Sequence, residues 1–176
     1  VTQPATGYRA GVDPILLAAS IPAKSGQRVL ELGSGVGVAS LALGARVSDL
    51  DMTAIEIQPD YADLARQNAV SNQVDSDIIT GDLAALPDHV RAVSFDHVFA
   101  NPPYFDRTAS TAAKDAGRET AMGEGTDLTI WVEQAAKRLA PKGYGHFIIR
   151  VERLLDLVSA IPSSCGSVVI TPIVPR

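Results

Sequence analysis

The segment RVLELGSGVG, residues 28–37, decides the fold. Its first half, Arg28–Leu32, is largely apolar and suits a buried strand, whereas the glycines that follow favour a sharp turn. A helix of small residues is predicted next, from about Val38 to Ala45. Strand, glycine-rich turn and helix in this order are the opening unit of an α/β fold with a parallel sheet.

The rest of the chain repeats this alternation of strand-length apolar runs and helical patterns. A helix is predicted from Asp13 as N-cap, with Pro14 at its first helical position. Other helices follow Pro59 and Asp127, the latter ended by Pro141 and Gly143, and another spans Leu154 to Ile161. The predicted strands are 28–32, 51–56, 77–80, 95–100, 144–149 and 167–171. The sequence therefore predicts a mostly parallel sheet with helices on both faces.

Length and composition are those of one globular domain. The chain has 176 residues, of which 46% are hydrophobic and 20% charged, values typical of soluble proteins. No apolar run approaches the roughly 20 residues that cross a bilayer, so no membrane association is expected. The single Cys165 excludes an internal disulfide framework and fits a reducing compartment such as the cytoplasm. The three histidines lack metal-ligand spacing, and no metal is expected.

The charge is uneven along the chain. The formal net charge is -5, which argues against a partner held by bulk electrostatic attraction. Residues 1–136 carry a net charge of -9, whereas residues 137–176 carry +4. A polyanionic partner is therefore expected to meet the C-terminal end.

The spacing of the glycines in the loop after the first strand narrows the choice of ligand. A nicotinamide-binding G-x-G-x-x-G would need glycine where Val38 stands, and no Lys-Ser/Thr pair follows to form a phosphate-binding loop. Gly33, Gly35 and Gly37 instead give the G-x-G-x-G spacing of S-adenosylmethionine sites. A glycine loop alone is weak evidence, so the other strand ends matter.

Acidic residues follow the second and third predicted strands. Glu56 ends the second strand, where its carboxylate is predicted to lie beside the glycine loop and accept both hydroxyls of a ribose. Asp82 follows the third strand and is predicted to lie near an adenine amino group. Either carboxylate alone can equally be a helix cap or a turn residue. Their succession at consecutive strand ends favours a cofactor site, because ligands of open α/β sheets bind at that edge.

The most specific motif is Asn101-Pro102-Pro103-Tyr104, which ends the fourth predicted strand. Each of the first two residues precedes a proline, which keeps the backbone extended. The Asn101 side chain and the Pro102 carbonyl can then accept both protons of an exocyclic or amide nitrogen and make it a better nucleophile. Tyr104 is predicted to stack on the planar target. The alternative reading is a strand terminator with an aromatic plug.

With these motifs the chain resembles class I S-adenosylmethionine-dependent methyltransferases of the Asn-Pro-Pro-Tyr type, along essentially its whole length. Residues 7–19 together with 101–105 are similar to bacterial tRNA adenine-N6 methyltransferases that modify the adenine beside the anticodon of valine tRNA. The resemblance implies a Rossmann-like sheet and catalytic roles for Asn101, Pro102 and Tyr104. It also implies S-adenosylmethionine as cofactor, with contacts from Arg9, Asp13, Glu31, Gly33, Ser34, Gly35, Gly37, Glu56, Ile57, Asp82 and Leu83.

Other functions stay open at this point. The same tetrapeptide occurs in relatives that methylate glutamine in release factors, or bases in DNA and ribosomal RNA. A cofactor-binding scaffold without catalysis would show a disrupted tetrapeptide or glycine loop, and neither is disrupted. A nicotinamide oxidoreductase is disfavoured by Val38. For Asp13, a helix cap is the competing role.

The resemblance also divides the chain. Residues 1–176 are expected to form a single methyltransferase domain, with a cofactor-capping segment at 1–27 and a Rossmann-like core at 28–176. The family fold has seven strands, the last pairing antiparallel between the fifth and sixth, and only six can be counted before Pro175-Arg176. We therefore expect the core to be truncated and the natural protein to continue past Arg176.

Overall fold

The structure is a computed structural model that describes residues 1–103 and 127–174. Five strands lie in this part of the chain: β1 Arg28–Leu32, β2 Asp51–Glu56, β3 Asp77–Thr80, β4 Phe95–Ala100 and β5 Leu139–Phe147. The helices are α1 Asp13–Ser20, α2 Val38–Arg46, α3 Pro59–Ser71, α4 Asp88–Arg91, α5 Leu128–Arg138 and α6 Leu154–Ala160, with single 3-10 turns at Leu83–Ala85 and Val151–Arg153.

The strands form one parallel sheet in the order β3-β2-β1-β4-β5. The chain runs outward from β1 to β3, then crosses to the other side of β1 to continue with β4. Such a reversal of strand order leaves a crevice at the carboxyl ends of the two central strands, where ligands bind in open α/β sheets. Because Leu32 pairs with Ala100, the residues that follow them, Gly33 and Asn101, begin that crevice side by side.

Alternating side chains of the central strands fill two cores, one on each face of the sheet. Leu30 and Val98 point to the face covered by α5 and α6, whereas Val29 and Phe99 point to the face covered by α1 and α2. All four are fully buried, and burial of each such side chain contributes about 1.5–3 kcal/mol to folding. The predicted parallel sheet with helices on both faces is confirmed.

The predicted N-cap of α1 is displaced by one residue. The helix begins at Asp13, and Val12 is the N-cap residue. Val12 has helical backbone angles, and its carbonyl accepts from the Leu16 N–H at 3.1 Å. The helix therefore starts one residue earlier than predicted, and Asp13 lies in its first turn.

The fifth strand begins earlier than the predicted 144–149, and neither Pro141 nor Gly143 ends the helix. α5 ends at Arg138, and β5 follows directly at Leu139. The strand is irregular, since Phe95 pairs with Leu139 but His97 pairs with Tyr144. Gly143 allows this because a Cβ there would lie 2.9 Å from the Phe95 carbonyl oxygen.

The predicted sixth strand, 167–171, is wrong: these residues form no strand. A strand is stable only where a neighbour completes its ladder. The position beside β5 has no partner strand within residues 1–103 and 127–174, and Val168, Val169 and Ile170 remain exposed. The apolar composition of residues 167–171 therefore predicted one strand more than the structure has in its described part.

None of the helices in the described ranges has the length and apolar character needed to cross a membrane.

Candidate functional site

The loop between β1 and α2 has a backbone that only glycine adopts easily. Gly33, Gly35 and Gly37 have φ values of 67°, 56° and 84°, all in the left-handed region that L-residues avoid. Gly37 is the N-cap residue of α2. The loop is closed by the Ser34 N–H, which donates to the Ile55 carbonyl at 2.9 Å, and by the Gly37 N–H, which donates to the Ser34 carbonyl at 2.9 Å.

Close neighbours also explain two of these glycines. A Cβ on Gly33 would lie 2.3 Å from the Trp131 ring of α5, so the indole packs directly on the loop. A Cβ on Gly37 would lie 3.4 Å from the Ala65 side chain of α3. At Gly35 a Cβ would meet only the Tyr8 ring at 3.9 Å. The middle of the loop thus faces open space.

Glu31 of β1 has a buried carboxyl group that reaches the first turn of α2. It is 3% exposed and accepts a hydrogen bond from the Ser40 N–H at 3.1 Å and another from the Ser40 hydroxyl. Burial raises the pKa of Glu31 to about 8, although the hydrogen bonds from Ser40 act to lower it. The nearby Glu56 carboxylate raises this pKa further. A cationic group placed in the cavity would favour the ionised form of Glu31.

Glu56, at the end of β2, holds the glycine loop. Its carboxylate accepts from the Gly35 N–H at 2.7 Å and from the Gln58 N–H at 2.9 Å. Burial raises the pKa of Glu56, and the bonds from Gln58 and Gly35 oppose that rise. The carboxylate therefore lies beside the loop, as predicted.

Asn101, Pro102 and Pro103 leave β4 without regular structure, as the two prolines require. Asn101 and Pro103 are half-buried and Pro102 is buried. All three line a cavity next to the glycine loop. Tyr104, the predicted stacking residue, lies outside the described residues.

The cavity has a volume of about 140 Å³ and is open to solvent on one side. Among the residues predicted from the sequence, it brings together Glu31, Gly33, Ser34, Gly35, Asn101 and Pro102. The other lining residues are Tyr8, Ala10, Pro14, Val36, Val38, Pro103 and Trp131. The Ser34 hydroxyl oxygen is buried and has no hydrogen-bond partner among the described atoms.

Several predicted cofactor contacts do not line this cavity. The carboxylate of Asp82 caps the following 3-10 turn by accepting from the Ala84 N–H at 2.8 Å, and Leu83 is buried in the core. Ile57 is 54% exposed directly after Glu56. Arg9 is exposed, whereas Asp13 is half-buried and raises the pKa of Tyr8. The predicted roles of these five residues stay predictions.

Sequence reasoning missed Tyr8 and Trp131 as lining residues. Tyr8 belongs to the N-terminal segment, and burial, followed by the charge of Asp13, raises the pKa of its phenol. Trp131 of α5 is 6% exposed within the core, and it also lines the cavity.

The basic C-terminal region is divided between the two edges of the sheet. Lys137 pairs with Glu133 at 3.0 Å, and Arg138 donates to the Arg91 carbonyl, both near the amino end of β5 and away from the cavity. Arg150 and Arg153 follow β5 at the cavity edge, and Arg153 pairs with Asp156 at 2.8 Å. The basic residues of this region therefore do not form one continuous basic surface.

Comparison with protein families gives one match, to the methyltransferase small domain model, over residues 10–168. A protein of Haemophilus influenzae named tRNA1(Val) (adenine(37)-N6)-methyltransferase is 31% identical over 152 residues. That alignment covers 85% of this chain and 64% of the relative, so the chain spans less than two thirds of the relative's length.

Solved structures share the fold. A predicted O-methyltransferase from Agrobacterium tumefaciens superposes with a TM-score of 0.64 at 21% identity, covering 84% of this chain and 66% of that one. A SAM-dependent methyltransferase from Thiobacillus denitrificans, solved in complex with S-adenosyl-L-homocysteine, superposes with a TM-score of 0.53 at 20% identity, covering 78% and 48%. The predicted Rossmann-like α/β fold is confirmed.

Proposed function

We propose, from the premise that this chain belongs to the methyltransferase small domain family, that it transfers a methyl group from S-adenosylmethionine to N6 of an adenine near the anticodon of a tRNA. One observation carries the proposal. The glycine loop and the Asn101-Pro102 pair follow paired positions of two neighbouring strands, Leu32 and Ala100, and line one cavity. A cofactor and a target nitrogen can therefore meet there.

The loop has the features that S-adenosylmethionine requires. Its left-handed glycines present backbone without side chains, and the buried Ser34 hydroxyl has no partner among the described atoms. Glu31 is a buried carboxyl that a cationic amino group would complement. S-adenosylmethionine, when bound, supplies an electrophilic methyl group on its sulfonium.

The proposal assigns each part of the cofactor to residues of the loop edge. The methionine part would contact Glu31, Gly33, Ser34, Gly35 and Gly37. Glu56, with Ile57 beside it, would accept the ribose hydroxyls, since its carboxylate lies against the glycine loop at the end of β2. Asp82 and Leu83 would meet the adenine, and Arg9 and Asp13 belong to the segment 1–27 that caps the cofactor. Tyr8, Ala10 and Pro14, which line the cavity, support that capping role.

Asn101 and Pro102 would prepare the target nitrogen. The Asn101 side-chain oxygen and the Pro102 carbonyl would each accept a hydrogen bond from one of its N–H groups. This would direct the lone pair of the nitrogen toward the cofactor. The nitrogen would bond the methyl carbon as the bond from that carbon to the cofactor sulfur breaks, which leaves S-adenosylhomocysteine, and it would then lose one of these protons to water. Tyr104 would stack on the adenine ring. The Haemophilus influenzae relative acts, by its name, on adenine of a valine tRNA, which favours tRNA and hence a cytoplasmic location.

Methyl transfer in vitro tests the proposal. The purified protein is incubated with methyl-labelled S-adenosylmethionine and, separately, with unmodified tRNA and with a peptide release factor. We expect label in tRNA only, recovered as N6-methyladenosine after nuclease digestion. Label on a release-factor glutamine would replace this function with protein methylation, and label in neither would contradict the proposed substrates.

A further inference from the structure

The first ten residues form a strap that lies across the cavity side of the molecule. Residues 2–10, here called the N-terminal strap, contain no helix or strand. Within the strap, the Ala10 N–H donates to the Gln3 side-chain oxygen at 2.8 Å. Tyr8 and Ala10 of the strap line the cavity. Something must therefore hold an irregular segment in place beside the proposed cofactor site.

Asn68 of α3 connects the strap to the glycine loop. Its amide oxygen accepts from the Thr2 N–H at 2.6 Å, and its amide nitrogen donates to the Thr2 carbonyl at 2.9 Å. The same nitrogen donates to the Val36 carbonyl of the glycine loop at 3.0 Å. Asn68 is 2% exposed and its bond to Val36 is buried, whereas the two bonds to the exposed Thr2 are part-buried.

A second residue of α3 holds the other end of the strap. The Tyr61 hydroxyl donates to the Tyr8 carbonyl at 3.1 Å. Tyr61 and Asn68 are seven residues apart, which places them two turns apart on one face of the helix. The strap is thus fixed at both ends by one rigid element.

We propose that Asn68 is a positioning residue for cofactor binding, which fastens the N-terminal strap and the glycine loop to α3 so that Tyr8 and Val36 form a preformed wall of the site. The inference rests on the proposed function, since it takes S-adenosylmethionine as the ligand. Asn68 does not line the cavity, so it acts through the strap and the loop.

Preorganisation is the physical reason. Fixing irregular backbone costs conformational entropy, about 1–2 kcal/mol per residue. With the strap already fixed to α3, the ligand does not bear that cost on binding, and its apparent affinity is not reduced by a population of open strap. Loss of Asn68 would leave the strap mobile and the Val36 carbonyl without its donor.

The experiment compares three variants by calorimetric titration with S-adenosylmethionine. We expect Asn68→Ala to raise the Kd about tenfold and Tyr61→Phe, which removes one hydroxyl, about threefold. Asn72→Ala is the matched control. Asn72 caps the end of the same helix, and within the described residues its amide donates to the Asn68 backbone carbonyl at 2.8 Å and to no residue of the strap. Its loss should leave the Kd unchanged.

Hydrogen exchange provides a readout that does not depend on activity. The peptide covering residues 1–12 should exchange faster in Asn68→Ala than in the wild type or in Asn72→Ala. In turnover assays, the KM for S-adenosylmethionine should rise while the KM for tRNA stays constant. If Asn68→Ala does not fold, Tyr61→Phe provides the same test.

Two results would overturn the inference while the proposed function stands. One is a wild-type protein that binds the cofactor and an Asn68→Ala variant that binds it equally well. The other is a strap that exchanges no faster in that variant. A wild-type protein that does not bind S-adenosylmethionine would instead overturn the proposed function, and this role of Asn68 with it.

Discussion

Two regions of the sheet bury titratable groups in opposite ways. At the site edge, the carboxyl ends of β1, β2 and β4, two buried carboxyl groups lie beside a cavity and a loop of left-handed glycines. Between β4 and β5, His97 and His146 bond to each other, with 3.0 Å between Nδ1 of His97 and Nε2 of His146. The Gln27 side-chain oxygen lies 3.2 Å from the other ring nitrogen of His97.

The difference lies in what surrounds the buried groups. Burial raises the pKa of Glu31 and lowers the pKa of His146, so both regions favour neutral forms. At the site edge, Glu31 and Ser34 line the cavity, and the buried Ser34 hydroxyl has no partner among the described atoms. Between β4 and β5, the imidazoles and Gln27 bond to one another. Polar burial beside open space, rather than polar burial alone, marks the site.

The largest effect is expected from Asn101→Ala. The substitution removes the side-chain acceptor for the target amine, which should lower kcat about 100- to 1,000-fold. The Kd for S-adenosylmethionine should change by less than about twofold, because Asn101 is assigned to the target and not to the cofactor. Single-turnover kinetics and calorimetry separate the two quantities. Unchanged turnover would contradict the assigned mechanism.

A pair of glycine substitutions compares the two ends of β1 directly, Gly33 at the site edge and Gly26 at the other end. Gly33→Ala places a methyl group into the Trp131 ring, on top of left-handed strain, and should cost about 3 kcal/mol of unfolding free energy. Gly26, just before β1, has a similar φ of 80° but nothing within 4 Å, so Gly26→Ala should cost about 1 kcal/mol. Urea unfolding measures both. Equal losses would show that the Trp131 contact does not matter.

Because of Glu31, the free energy of unfolding should decrease as the pH rises from about 4.5 to about 8. The pKa of Glu31 rises from 4.5 to about 8 on folding, so between these values the folded protein binds more protons than the unfolded chain, and stability decreases as pH rises. The ligand-free wild type should lose roughly 2 kcal/mol relative to Glu31→Gln between pH 5 and 8. Parallel stability profiles for the two proteins would contradict the buried, protonated carboxyl.

The histidine pair should give the opposite and smallest slope. The pKa of His146 falls from 6.5 to about 4, through burial and then the neighbouring His97. The folded protein therefore binds fewer protons than the unfolded chain between these values, and stability is lost as pH falls from about 6.5 to 4. His146→Gln should reduce this loss by about 1 kcal/mol, measured by urea unfolding at both pH values. An unchanged acid slope would show that the pair is not protonated on unfolding.

Local signals predicted the site edge well. The bounds of β1, β2, β3 and β4 match the prediction, since these short runs stop at Gly33, Glu56, Gly81 and Asn101-Pro102. The glycine loop and the Asn101-Pro102 pair could be placed together because neighbouring parallel strands end at one edge. Asp127 was also found, as the N-cap of α5 that accepts from the Thr129 N–H at 2.9 Å.

Long-range pairings could not be predicted in the same way. Asn68 meets Thr2 across 66 residues, and a polar residue on a helix gives no local sign that it is buried. The failed strand at 167–171 has the same origin, because its apolar residues need a neighbour to pair with. For Asp82, the cap of the following 3-10 turn is the alternative role that the sequence had left open.

The most direct test of the central claim, that the site edge methylates adenine in tRNA, is nucleoside mass spectrometry of tRNA from cells that lack this protein. Complementation uses either the wild-type gene or the Asn101→Ala variant. We expect one N6-methyladenosine in tRNA to disappear in the deletion strain, to return with the wild type and to stay absent with the variant. An unchanged N6-methyladenosine level in the deletion strain, or its full recovery with Asn101→Ala, would contradict the account.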